Sequence, residues 1–114
     1  MLETNTMENT REFVDEKGLT RFHFRDGLVK SRTFANKDGA VTAVINYLNP
    51  AEMSPFLQAK LQKAYPKLKV FGVTEFTTND GQVYEIIMQD AKCWYKVRCV
   101  DGADMFVAKK FRKA

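Results

Sequence analysis

The sequence predicts an α+β fold, an antiparallel β-sheet with one main helix packed on one face, in the order β-β-β-α-β-β-β-β. Three observations carry this expectation. Polar turn signals recur about every ten residues, as in sheets of short hairpin-connected strands. The segments between them alternate apolar with polar side chains or are rich in β-branched and aromatic residues. Only one segment has a helical stripe with its own start and stop.

Residues 1–9 have no period and few apolar side chains, so a loosely held arm is expected over 1–12 and one domain over 13–114. Phe13 and Val14 open the ordered part. Over residues 20–25, Phe22 and Phe24 point one way and Arg21, His23 and Arg25 the other, which predicts a half-buried strand. Asp26-Gly27 turns the chain, because glycine readily takes positive φ, and 28–35 returns. Asp38-Gly39 leads into a third strand over 41–48, which Asn49-Pro50 stops, since proline has no N–H for the ladder.

After a short lead-in turn at 51–53, Ser54 is a good helix N-cap. Pro55 occupies the first helical position, where its missing N–H costs nothing. Phe56, Leu57, Leu61, Ala64 and Tyr65 form one stripe, Gln58, Lys60, Gln62 and Lys63 lie opposite, and Pro66 ends the helix. Four strands follow over 69–77, 83–89, 93–100 and 105–111. Their turns are Asn79-Asp80-Gly81, Asp90-Ala91-Lys92 and Asp101-Gly102.

With 114 residues, 45% of them hydrophobic and nine of them phenylalanine, the chain suits one ordered domain. No apolar run approaches the roughly 20 residues of a membrane-spanning helix. The net charge of +4 favours acidic partners modestly, and 14 acidic residues argue against nucleic acid. Lys109, Lys110, Arg112 and Lys113 crowd the C-terminus and read as a solvated, frayed tail. Cys93 and Cys99, six residues apart on one strand, lie about 20 Å from each other, too far for a disulfide.

From the helix onward the run LQKAYPKLKVFGVTEFTTNDGQVYEIIM, a polar turn, CWYKVRCVDG and a final strand resemble the PepSY-like, beta-lactamase-inhibitor-protein-like family of small exported bacterial proteins. The matching elements are Tyr65-Pro66, Val73-Thr74-Glu75, Tyr84-Glu85-Ile86 and Asp101-Gly102, with Phe34 and Lys37-Asp38-Gly39 in the preceding half. The resemblance covers residues 20–112. It implies an antiparallel sheet with helix on one face, no shared enzymatic activity, and inhibitor or ligand-binding roles. It also implies a periplasmic or extracellular location. Residues 1–12 are polar and carry no apolar leader, so a cytoplasmic location is the alternative.

Catalytic and metal chemistry find little to build on. His23 is the only histidine and reads as solvated between Arg21 and Arg25, whereas a metal site needs several convergent ligands. Nothing in the sequence brings His23 to either cysteine as a nucleophilic pair. The glycines form no phosphate loop and the Asp-Gly turns lack the calcium-loop pattern. Neither a catalytic residue nor a cofactor is expected.

The informative strand is 93–100. Cys93, Tyr95, Val97 and Cys99 share one face and should pack under the helix with Phe71, Val73, Tyr84, Ile86 and Met88. Trp94, Lys96 and Arg98 share the other, with Glu75 and Glu85 expected on flanking strands. Tryptophan and arginine are enriched where binding energy concentrates. The sequence therefore predicts a non-catalytic module, a monomer or weak dimer, that binds a protein or peptide through its exposed sheet face. The alternatives are a single-stranded nucleic-acid-binding domain on that basic and aromatic face, and a small-ligand carrier with a pocket between helix and sheet.

Overall fold

The structure, a computed structural model, describes residues 8–100 and 104–114. The predicted Asp101-Gly102 turn and residues 1–7 of the expected arm lie outside the described residues. Strands β1 (Glu8–Asp15), β2 (Gly18–Arg25), β3 (Leu28–Ala35) and β4 (Val41–Leu48) precede a 3₁₀ turn at Pro50–Glu52 and the helix α1 (Pro55–Ala64). Strands β5 (Lys69–Thr78), β6 (Gly81–Gln89), β7 (Cys93–Val100) and β8 (Asp104–Arg112) follow. All eight strands form one sheet in chain order, each antiparallel to its neighbours.

The order is thus β-β-β-β-α-β-β-β-β, which corrects the expectation of three strands before the helix. The additional strand is β1, and residues 8–12 of the expected loose arm belong to it. Every β1 residue is exposed, so neither face selects for apolar side chains and no alternation marks the strand. Its ladder to β2 runs from Glu8↔Arg25 to Asp15↔Gly18. Two cross-strand pairs reinforce it, Arg21 Nη2 to Glu12 Oε2 at 2.6 Å and His23 Nε2 to Glu8 Oε1 at 3.0 Å.

The helix starts and stops as its sequence dictates. Leu57 N–H donates to Ser54 Oγ at 3.2 Å, Pro55 holds the first position, and Tyr65 N–H closes the last turn on the Leu61 carbonyl at 2.8 Å. The preceding 3₁₀ turn is fixed by Asn49 N–H donating to Glu52 Oε1 at 2.7 Å, which delivers Met53 to the core. The buried stripe is narrower than predicted: Leu57 and Leu61 are buried, whereas Phe56 is 68% exposed. Leu57 and Leu61, one turn apart, project alike, while Phe56 lies about 100° round the axis. Its ring sits under the Lys60 ammonium, 5.5 Å away.

Met53, Leu57 and Leu61 pack on Val73 of β5, Ile86 and Met88 of β6, and Val97 and Cys99 of β7, each at most 5% exposed. The core therefore lies under the C-terminal half of the sheet. No described residue of β1–β4 is buried. Cys93 and Tyr95 are half-buried on the same side as Val97 and Cys99, and no disulfide joins the two cysteines. Phe71 departs from the predicted core. Val70 pairs with Met88 and Gly72 with Ile87, so Phe71 is the extra residue of a β-bulge, and it turns to the face away from the helix.

One turn admits only glycine. Gly18 sits at φ 144°, and a Cβ there would lie 2.1 Å from the Ala35 carbonyl oxygen. Gly27, at φ 80°, has nothing within 4 Å of a built Cβ. Gly18→Ala is therefore expected to cost about 3 kcal/mol, against about 1 kcal/mol for Gly27→Ala, where only backbone strain acts. Urea unfolding midpoints check this, and equal midpoints for the two variants would refute the close approach at Gly18.

Candidate binding surface

Because Val97 and Cys99 point to the helix, their neighbours Trp94, Lys96 and Arg98 must point away from it. The register across β6, β7 and β8 assembles this open face as rungs. Gln89, Trp94 and Phe111 form one; Ile87, Lys96 and Lys109 the next; Glu85, Arg98 and Phe106 the third. Glu85 anchors the charges, with Arg98 Nη2 at 3.0 Å from its Oε2 and Lys96 Nζ at 3.5 Å from its Oε1. The pairing holds both cations over the sheet rather than splayed into solvent.

Trp94 is packed at two sides. The Phe71 ring meets it edge-on at 5.0 Å, and the Lys113 ammonium stands 4.6 Å from its ring centroid. Lys113 Nζ also donates to Gln89 Oε1 and to the Asp90 carbonyl, each at 2.8 Å. The basic C-terminus is thus not a frayed tail. Lys109, Lys110 and Arg112 lie in the edge strand β8, and Lys113 is pinned back over the indole. Phe71, Phe106 and Phe111 are 60%, 45% and 50% exposed, so the face presents aromatic surface to water.

Of the predicted site residues, Trp94, Lys96, Arg98 and Glu85 come together and Glu75 does not. Glu75 pairs with Asn46 and Tyr84, on the side of the sheet that carries Val73 and Ile86. Asn46 Nδ2 donates to its Oε1 at 2.8 Å and Tyr84 also hydrogen-bonds it. Burial first, and then the Glu75 carboxylate, push the Tyr84 pKa up. The two glutamates are ten residues apart, but the Asn79–Gly81 turn puts Glu75 opposite Tyr84 rather than Glu85, hence on the other face. Phe71, Phe106, Phe111, Lys109 and Lys113 are the members that the sequence did not reveal.

The turn before β7 fixes where Trp94 begins. The Asp90 carboxylate accepts from Lys92 N–H at 2.8 Å, from Cys93 N–H at 2.7 Å and from the Tyr95 hydroxyl at 2.8 Å. The Lys92 bond foremost, then Tyr95 and Cys93, hold the Asp90 carboxyl below its usual range. The same contact pushes Tyr95 up to about 12, with loss of hydration adding to it.

Elsewhere, an open groove of about 720 Å³ runs over the helix side of β1–β4, which α1 does not cover, past Val14, Leu19, Val41 and the Glu12–Arg21 pair. Between α1 and the sheet the core side chains leave an open pocket of about 280 Å³ at one edge, where Gln58 and Leu61 of the helix face Leu68, Val70 and Met88. Among the described residues no group of three or more His, Cys, Asp or Glu side chains converges as a metal site, and no helix is long and apolar enough to cross a membrane. His23 makes its contact to Glu8 across β1, on the helix side and far from the rungs of β7.

Two solved structures share this arrangement. A DUF2874 family protein from Bacteroides uniformis superposes with a TM-score of 0.60 at 10% identity, over 92% of this chain and 78% of that one. A BLIP-like protein from Bacteroides fragilis superposes with a TM-score of 0.64 at 10% identity, over 94% of this chain and 78% of that one. At that identity the likeness shows the fold alone, a BLIP-like fold. No protein-family model matches the chain, and no curated protein does.

The Asp90–Tyr95 contact gives a pH signature. The fold prefers neutral Tyr95, so its stabilisation is complete below pH 10, the ordinary phenol value, and is lost as pH rises through about 12. A phenolate absorbance titration of the wild type minus that of Tyr95→Phe should place the missing transition at about 12. A missing transition near 10 would contradict the hydrogen bond.

Proposed function

We propose that this chain is a non-catalytic binding module whose open sheet face, centred on Trp94, Lys96 and Arg98, holds a protein or peptide partner. One observation carries the reading. The face opposite α1 exposes Phe71, Phe106 and Phe111 around a charged centre that Glu85 holds in place. Anchored aromatic and arginine side chains on a stiff sheet lose little entropy when a partner arrives, which is where binding energy concentrates. The BLIP-like fold of the Bacteroides fragilis neighbour supports the same reading.

The finer parts of the proposal follow the resemblance of the sequence. The chain is read as one domain of the PepSY-like, beta-lactamase-inhibitor-protein-like type, exported to the periplasm or beyond. It acts as a monomer or weak dimer, with no catalytic step of its own. Its role on the partner is inhibitor-like: occupation of a surface rather than chemistry on it.

Capture experiments with immobilised protein test this. The double variant Trp94→Ala/Arg98→Ala should lose at least about tenfold in partner recovery, since each anchor is worth upward of about 1 kcal/mol. Phe56→Ser, at an exposed aromatic of α1 outside this face, should retain recovery. Equal recovery by the double variant and the wild type would overturn the proposal.

A further inference from the structure

Lys96 of β7 and Lys109 of β8 are direct cross-strand neighbours on the open face. Like charges placed so are destabilising. Lys96 is partly relieved by Glu85, but that carboxylate already takes Arg98 at 3.0 Å and reaches Lys96 only at 3.5 Å. The Lys109 side chain makes no hydrogen bond or ion pair with the described residues. Three cations therefore stand at the centre of the face, and its one carboxylate pairs with only two of them, Lys96 and Arg98. Apolar rings stand on both sides: Trp94 and Phe111 on the rung above, Phe106 on the rung below.

Resting on the reading above, we infer that the partner is a protein segment that places an Asp or Glu carboxylate between Lys96 and Lys109, with apolar side chains against Phe111 and Phe106. A carboxylate there relieves the lysine pair and supplies the charge that Glu85 cannot. The flanking rings exclude water from the contact, and charge-assisted hydrogen bonds strengthen as water leaves. The cost built into the free protein becomes selectivity, because a neutral segment would leave the lysines opposed.

A nucleic-acid strand fits the same face less well. Trp94 has the Lys113 ammonium over its ring and the Phe71 ring against it, so a base would have to displace Lys113 to stack on the face it covers. Glu85 sits in the middle of the cation group and would repel a phosphate backbone that passed over it.

Trp94 is the only tryptophan and reports on the face directly. The full chain is titrated at low salt with a short blocked peptide alternating Glu with Leu, with its Gln-for-Glu counterpart, and with a short oligothymidylate. The Glu peptide should change Trp94 emission saturably, about tenfold more tightly than either other probe, and the response should weaken as salt is added. Lys109→Glu should abolish the response while raising Tm by about 2 °C, because it replaces a like-charge pair with an opposite one. A lost response with an unchanged or higher Tm supports the inference and separates it from simple unfolding. Equal response to the Gln peptide overturns charge selection yet leaves the open-face reading standing, since that is decided by the capture of partner with Phe56→Ser as control. Tighter binding of the oligothymidylate, or silence with all three probes, overturns the inference as well.

Discussion

Leu57 and Leu61 pressing on the sheet is the contact from which the rest follows. Met53 joins them on one side, and Val73, Ile86, Met88, Val97 and Cys99 receive them on the other. Side chains alternate along a strand, so this single contact decides the direction of the residues in β6 and β7 and, outside the bulge at Phe71, in β5. A slip of one residue would bring Lys96 and Arg98 under the helix and send Val97 and Cys99 into water, which burial energetics forbid. The charged face is thus a consequence of the apolar one.

The same contact explains the uneven distribution of burial. α1 covers the C-terminal half alone, and β1–β4 hold their places by ladder hydrogen bonds, cross-strand pairs and half-buried rings. Phe13 and Phe22 meet edge-on at 5.5 Å, and the Arg32 guanidinium lies 4.9 Å from the Phe22 centroid. The bulges between neighbouring strands add local twist and re-aim single residues. At Phe71 such a re-aiming takes an aromatic ring from the core side and sets it against Trp94, so the binding surface owes part of its shape to an irregularity in pairing.

Much of this was legible from residue order. The turns at Asp26-Gly27, Asp38-Gly39 and Asn79-Asp80-Gly81, the cap at Ser54 and the stop at Pro66 are local chemistry, and they bound β2–β6 and α1. The faces of 93–100 were legible because alternation there is strict. β1 was not, because a strand wet on both faces leaves no pattern. Glu75 was misplaced because sharing a face depends on hairpin register, which places Glu75 opposite Tyr84, and not on spacing along the chain. Phe111 was hidden by the bulge after Lys96: counting from the turn pairs Arg98 with Phe106, but one extra residue is needed before Trp94 meets Phe111. The tail residue Lys113 reads as solvated in any sequence pattern, since only the folded turn at Asp90 offers it partners.

Hydroxyl-radical footprinting of the native chain addresses the two-faced sheet most directly. Methionine is intrinsically among the most easily oxidised side chains, so protection of Met53 and Met88 can come only from burial. The account predicts that both are strongly protected while Phe71, Phe106 and Phe111 are modified at rates near those of the unfolded chain. Oxidation of Met88 at its unfolded rate, with Phe71 and Phe111 protected, would mean that the helix covers the opposite face, and the proposed binding surface would be the core.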